Sequence, residues 1–331
     1  HYAQLVSADV ESACNAHKSV QGFRKRFEEA FAGLKDYLKQ QLLDQTESLL
    51  IPHEETVLCA DIFDRLTSIP LIDKYEAFQL LDDAWTKIAV DLEILQTEGA
   101  DAAKKVDPNM VLKKKDGKES EVQEGWIGHV MPFQLTQEKL LADELNALRD
   151  KENELVQVTS EYEQMIDELS EEDKGQDYFD EDKGKFDQTE IKKFIKAYPE
   201  EKETIGMLRK ADALINREKA LKKAIKADSQ ALHLKTKAAI ENLTPEQIRM
   251  LLEAKWIEPL VQKLNALPTR IITELNQKLK ALSQKYTETL PDVERQIAQT
   301  ESELTGLLDQ LTGSEEDMIG LAELKKLLGG K

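Results

Sequence analysis

Apolar side chains recur at helical spacing through much of this chain, and this periodicity restricts the fold more than any other feature. A heptad begins at Leu141, and a second, more regular heptad follows Pro291 and ends at Gly313. The first consists of Leu141, Leu145, Leu148, Leu155, Tyr162, Ile166 and Leu169. The second consists of Val293, Ile297, Thr300, Leu304, Leu307 and Leu311. Patterns of this kind predict long amphipathic helices that pack in pairs.

The first third of the chain predicts a helical globular domain over residues 1–135. Its large aromatic side chains favour a dense core, and one predicted helix face carries Phe23, Phe27, Phe31, Leu34 and Leu38. Asp73 and Glu76 have the spacing of a capping box at the start of a further helix. Apolar residues alternate with charged ones over 90–94, which predicts a short strand that pairs with 127–131 in a small β-hairpin. The polar stretch between them, 97–124, indicates a loop or a partly disordered segment.

The rest of the chain predicts two helical segments. Residues 136–242 favour an antiparallel helical hairpin with an acidic tip, since Gly175 and Gly184 interrupt the helical pattern and the charge changes from acidic to basic after them. Residues 243–331 predict C-terminal helices with a coiled-coil seam, opening on the capping box Thr244-Pro245-Glu246-Gln247. We expect Pro259 and Pro268 each to start a new helix or to kink one. The fold class is therefore mainly α, a helical globular domain with a small β-hairpin followed by long helical hairpins and a coiled coil.

Charge and composition limit the classes of function. The 331 residues include 64 acidic and 45 basic side chains, a formal charge of -19. Such a balance argues against a free-standing DNA-binding protein, which needs a dense cationic surface. The sequence contains no apolar run of the roughly 18–20 residues that cross a bilayer, and Cys14 and Cys59 lie too far apart for a CxxC pair. We expect a cytoplasmic protein without a membrane partner.

Candidate sites for chemistry are few. The histidines, at positions 1, 17, 53, 129 and 233, have no ligand spacing, so the sequence predicts neither a metal site nor catalytic residues. The run from Asp180 to Gly184 lacks the ligand pattern of a calcium loop. Lysines 113, 114 and 115 could contact DNA phosphates; the favoured interpretation is a charged loop, because no base-reading residues accompany them.

Two segments resemble a known family. Ser68-Ile69-Pro70-Leu71-Ile72-Asp73-Lys74-Tyr75-Glu76-Ala77-Phe78-Gln79-Leu80-Leu81-Asp82-Asp83-Ala84-Trp85 and Leu251-Leu252-Glu253-Ala254-Lys255-Trp256 are similar to stretches of the modification subunit of type I restriction–modification enzymes. Both lie downstream of the catalytic domain in that family. The resemblance covers most of residues 60–310 in order, is specific around 68–95 and 245–311, and is loose in the acidic tip. The chain has no Pro-Pro pair and no GxGxxG loop, and it begins at His1, so we expect a C-terminal region without the catalytic domain. Pro259 and Pro268 depart from the unbroken helix that the resemblance implies.

The resemblance implies a function in assembly. The parent protein would be an adenine-N6 DNA methyltransferase that uses S-adenosylmethionine, and this chain would bind no cofactor itself. Its C-terminal helices would dock on the specificity subunit, with the restriction subunit and a second modification subunit as further partners and DNA contacted only through the complex. The expected interface positions are Val293, Ile297, Leu304, Leu307 and Leu311.

An unrelated coiled-coil scaffold protein explains the heptads and the acidity equally well. It leaves the aromatic first domain unexplained, and it predicts a homodimer formed through residues 290–312. The sequence does not indicate an enzyme in its own right, because it shows no nucleophile arrangement, metal cluster or cofactor loop.

Overall fold

The computed structural model describes residues 9–115, 118–285 and 290–327, with the backbone alone at 113–115 and 118–119. About 77% of the structure is helical and its strands form two small antiparallel pairs, which confirms the mainly α class with a small β-hairpin and long helices. The described chain divides into two compact units built from separate segments. The predicted domain boundaries at residues 135 and 242 stay predictions.

The first unit comprises the described residues within 1–31, 64–74 and 265–331. Its helices begin with α1 (Val10–Ala16) and α2 (Lys18–Phe31). The predicted aromatic face of α2 is buried, and the rings of Phe27 and Phe31 stack with centroids 4.3 Å apart. Lys280 pairs with Glu11 at 2.6 Å, which ties the C-terminal segment of this unit to α1.

The second unit comprises residues 32–63 and 75–264. Gly33, at φ +74°, separates α2 from α3 (Leu34–Leu42), so the predicted apolar face from Phe23 to Leu38 belongs to two helices. The next helices, α4 (Ile51–Leu66) and α5 (Lys74–Glu98), run through both units. A 3₁₀ turn (Ala100–Lys104) then leads into the hairpin of β1 (Val106–Lys115) and β2 (Lys118–Gly128).

The predicted strand over 90–94 is wrong, because these residues lie inside α5. Their alternation is five residues long, whereas Leu81, Trp85, Ile88, Leu92 and Leu95 form a buried helical stripe through the same stretch. The predicted loop over 97–124 is also wrong: the hairpin occupies most of it and pairs Val106 with Gly128 and Lys115 with Lys118. Only the 127–128 part of the predicted partner strand is a strand.

Two long helices form the predicted antiparallel hairpin. After α6 (Phe133–Leu140) come α7 (Ala142–Asp167) and, later in the chain, α10 (Lys202–Glu241). Glu144 pairs with Lys235, Lys151 with Asp228 and Glu154 with Arg217, an order that runs in opposite directions along the two helices. Helix α7 carries eight acidic residues and α10 carries ten basic ones. These exposed pairs contribute ~0–1 kcal/mol each and set the register more than the stability.

The tip of this hairpin has a core of its own. It contains α8 (Glu171–Lys174), the short pair β3 (Phe179–Asp180) and β4 (Lys185–Phe186), and α9 (Gln188–Ala197). Asp187 caps α9 as predicted, accepting from the backbone N–H groups of Thr189 and Glu190. The sequence interpretation missed the buried cluster of Leu169, Tyr178, Phe179, Phe186, Ile191, Leu208, Ala211 and Ile215. Tyr178 donates to Asp173 at 2.8 Å, and burial with that contact raises the pKa of the phenol.

The C-terminal helices begin at α11 (Pro245–Leu252) with the predicted capping box of Thr244 and Gln247. A π-helical turn (Glu253–Ile257) joins α11 to α12 (Glu258–Lys285). Pro259 therefore lies at a helix start, as expected. Pro268 does not begin a new helix, since α12 continues through it between the buried residues Leu267 and Ile272. Helices α13 (Leu290–Leu308) and α14 (Glu315–Leu327) follow.

Candidate functional site

The C-terminal seam is the candidate interface. Val293, Ile297, Leu304 and Leu307 lie along one side of α13, and Leu311 follows the end of that helix. Their exposed fractions are 39%, 52%, 40%, 60% and 52% for Val293, Ile297, Leu304, Leu307 and Leu311. An apolar stripe along one side of a helix normally packs against the protein core or against a partner. The structure therefore places four of the predicted residues along one exposed side of α13, with Leu311 exposed just beyond the helix, and we call these five residues the seam.

The next helix, α14, also carries exposed apolar side chains. Lys325 pairs with Asp309, which links α14 to the end of α13, and Leu308 is the buried position of α13. The exposed apolar side chains of α14 are Met318, Ile319, Leu324 and Leu327. The spacing of its leucines predicted this last helix, but no interface was predicted on it.

The segment that includes the resemblance at 251–256 lies at a junction of the second unit. The π-helical turn places Lys255 and Trp256 on the buried side, where both contact Asp91 of α5. Lys255 also donates to the backbone carbonyl of Val130 at 2.5 Å, beyond the end of β2. A π turn adds one residue to a helical repeat and so redirects the side chains that follow it.

Ion pairs surround this turn on its other side. Glu253 accepts from Lys35 and Lys39, each at 2.8 Å, and Glu258 accepts from Lys139 at 3.1 Å. Burial alone would raise the pKa of Glu253, but the two lysines together lower it. The hydrogen bond from Lys139 lowers the pKa of Glu258. Residues of the 251–256 segment therefore connect α3, α5 and the stretch just after β2, and Glu258, two residues beyond the segment, adds the contact with α6.

The other resembling segment is also largely structural. Ile69 and Ile72 are buried in the first unit, and Ala77, Leu81 and Trp85 are buried along α5 in the second. Within the second unit, Phe63 makes edge-to-face contacts with Tyr75 and Phe78, at centroid distances of 6.1 and 6.5 Å. The exposed large apolar side chains of this segment are Leu71 and Tyr75.

Two histidines make contacts that attach the base of the β1–β2 hairpin to neighbouring helices. His129 Nδ1 lies 2.6 Å from Asp107 Oδ2, and its Nε2 lies 3.4 Å from Glu98 Oε1. The hydrogen bond with Asp107 raises the pKa of His129. His233 of α10 accepts from the backbone N–H of Trp126 at 2.9 Å, while Lys237 lies 3.9 Å from the centre of the Trp126 ring. The hairpin is thereby attached to α5 and to α10.

The predicted phosphate contacts at Lys113, Lys114 and Lys115 lie at the far end of this hairpin. Their backbone pairs with Ser120, Glu119 and Lys118 in the ladder, so they lie on a strand and not in the predicted loop. Their side chains are outside the described residues. The interpretation as DNA contacts stays a prediction.

In the part of the chain that the structure describes, no three His, Cys, Asp or Glu side chains are arranged to hold a metal ion. Over the same residues, no helix is both long enough and apolar enough to cross a bilayer. Cys14 and Cys59 are free thiols, and burial raises the pKa of Cys59, which lowers its reactivity.

Comparison with known protein families, characterised proteins and solved structures found no significant match to this chain.

Proposed function

We propose that this chain is the C-terminal assembly module of a type I modification subunit, which docks on the specificity subunit through the seam. The observation that carries the proposal is the row of exposed apolar side chains at Val293, Ile297, Leu304, Leu307 and Leu311. Leaving such a row in water is costly, because burying one aliphatic side chain contributes about 1.5–3 kcal/mol. A long helix of another subunit is the partner that fits a heptad.

Two sequence segments supply the choice of family. The resemblance over 68–85 and 251–256 points to the part of a modification subunit that follows its catalytic domain. Methyl transfer and S-adenosylmethionine binding would belong to the remainder of that protein, and adenine-N6 methylation of DNA to the assembled complex. The restriction subunit and a second modification subunit are further partners in this proposal, and DNA contacts arise in the complex.

A double substitution in the seam tests the proposal. Ile297→Asp with Leu304→Asp places two carboxylates in the seam while sparing the buried core, since both side chains are about half exposed. We expect binding to the specificity subunit from the same locus to be lost and the helical circular dichroism to stay unchanged. The matched control is Val156→Asp, an exposed apolar residue of α7.

The control should bind as the unsubstituted chain does. Undiminished binding by the double variant would exclude the seam as the interface. A homodimer that forms through residues 290–312 and does not bind the specificity subunit would favour the scaffold alternative.

A further inference from the structure

The charged side chains that flank the seam in the heptad are all acidic. With Ile297 and Leu304 at heptad position a, the flanking e and g positions are Glu294, Gln296, Glu301 and Glu303, with Leu308 closing the last turn. Every charged side chain at these flanking positions is a glutamate, and all three glutamates are exposed. Positions e and g are those that contact the flanks of a partner helix in a coiled coil.

These glutamates have no cationic partner within the part of the chain that the structure describes. Glu303 accepts a hydrogen bond from the neutral side chain of Gln299 at 2.9 Å. The surrounding segment, 290–327, carries nine carboxylates and three basic side chains. An apolar stripe with acidic flanks on both sides thus stands open to solvent.

We propose that the seam accepts an amphipathic helix whose own e and g positions carry lysine or arginine. The proposal rests on the proposed function only in taking the seam as a docking surface. Opposite charges across e and g select the partner and its orientation, and like charges reject the wrong one. The chemistry of the partner is therefore specified: an apolar heptad with basic flanks.

A second copy of this chain does not supply those charges. In an antiparallel pair of α13 helices, the e positions Glu294 and Glu301 would face glutamates of the copy. In a parallel pair, Gln296 would meet Glu301 and Glu303 would meet Leu308, so no attractive charge pair forms. The occupant favoured by charge is a different, basic helix.

Two synthetic peptides, each about four heptads long, test this inference. Both have the same leucine and isoleucine seam, and they differ only in carrying lysine or glutamate at e and g. Binding to the full chain is measured by fluorescence anisotropy at about 50 mM and about 500 mM salt. We expect the lysine peptide to bind at least about ten-fold more tightly at low salt, with the preference reduced at high salt.

A second experiment reverses the charges beside the seam in the protein itself. The triple variant Glu294→Lys, Glu301→Lys and Glu303→Lys should reverse the preference between the peptides. The matched control reverses three exposed glutamates far along the sequence from the seam, Glu47→Lys, Glu93→Lys and Glu163→Lys. It changes the net charge equally and should keep the original preference.

The outcomes separate the two proposals. Equal binding of both peptides, or binding of neither, would overturn the basic-helix inference. If the specificity subunit binds the unsubstituted chain and the triple variant alike, the assembly function stands and the inference is overturned. If the lysine peptide binds selectively and the specificity subunit does not bind, the inference stands and the assembly function fails.

Discussion

The indole Nε1 of Trp256 donates a hydrogen bond to Oδ2 of Asp91 at 2.8 Å, and both residues are buried. The same carboxylate oxygen lies 2.5 Å from the ammonium group of Lys255. Asp91 stands on the buried stripe of α5, where an isolated carboxylate would be costly. The π-helical turn satisfies it with two donors from consecutive residues and so joins α5 to the C-terminal helices of the second unit.

Removing the Asp91 carboxylate should destabilise the protein strongly. Asp91→Ala leaves the ammonium of Lys255 largely buried without its counter-ion, and breaking a buried pair in this way costs about 3–5 kcal/mol. Trp256→Phe removes the indole donor together with part of a buried ring, keeps the Lys255 pair, and should cost about 1–3 kcal/mol. Urea unfolding followed by circular dichroism measures both. Glu93→Ala, an exposed carboxylate two residues away on α5, is the control and should change stability by less than about 0.5 kcal/mol. A similar, small loss for Asp91→Ala and Glu93→Ala would contradict the assignment.

Gly125 is required at the base of the hairpin for two reasons. Its φ is +78°, and a Cβ there would lie 2.6 Å from His233 Nε2, the atom that accepts from Trp126. Gly125→Ala should therefore cost about 2–4 kcal/mol, combining left-handed strain with the lost hydrogen bond. Gly33→Ala has a similar φ of +74° and open space around it, so it isolates the strain at about 1–2 kcal/mol. Equal unfolding free energies for the two variants would show that the contact with His233 does not matter.

The contacts of His129 predict a pH-dependent hairpin attachment. Asp107 of β1 and Glu98 of α5 face the ring, and Lys105 pairs with Glu98. The pKa of His129 is raised in the folded protein, so its contribution is complete below the ordinary value of about 6.5 and disappears as pH rises through the folded pKa. Hydrogen exchange of the backbone amides at 106–128 should show protection falling over that range in the unsubstituted chain. His129→Gln should show no such step beyond the intrinsic exchange rate. An identical step in both proteins would assign it to another group.

Local sequence patterns predicted the structural features that depend only on nearby residues. The change from acidic to basic charge after the glycines predicted the antiparallel pair of α7 and α10, the capping box predicted the start of α11, and Asp187 predicted the cap of α9. The strand over 90–94 failed because a short alternation competes with a longer helical stripe in the same residues. The strands of the hairpin were misplaced because the described side chains of β1 and β2 are partly exposed on both faces, so these strands show little apolar alternation.

Contacts between distant residues could not be read from spacing. The pairs of Asp91 with Lys255 and of Trp126 with His233 join positions more than a hundred residues apart. The sequence does contain one indication of such a contact: Asp91 interrupts an apolar helix face, and a buried carboxylate requires a hydrogen-bonding or charged partner. The tip core was hidden because Tyr178, Phe179 and Phe186 stand among acidic residues and follow no single period.

The assembly function is tested most directly by size-exclusion chromatography with light scattering, applied to the full chain alone and mixed with the specificity subunit from the same locus. The proposal predicts that the mixture elutes as a hetero-complex of defined mass, and that Ile297→Asp with Leu304→Asp abolishes this complex. A homodimer of this chain whose mass is unchanged by the specificity subunit would contradict the proposal and support a self-associating scaffold.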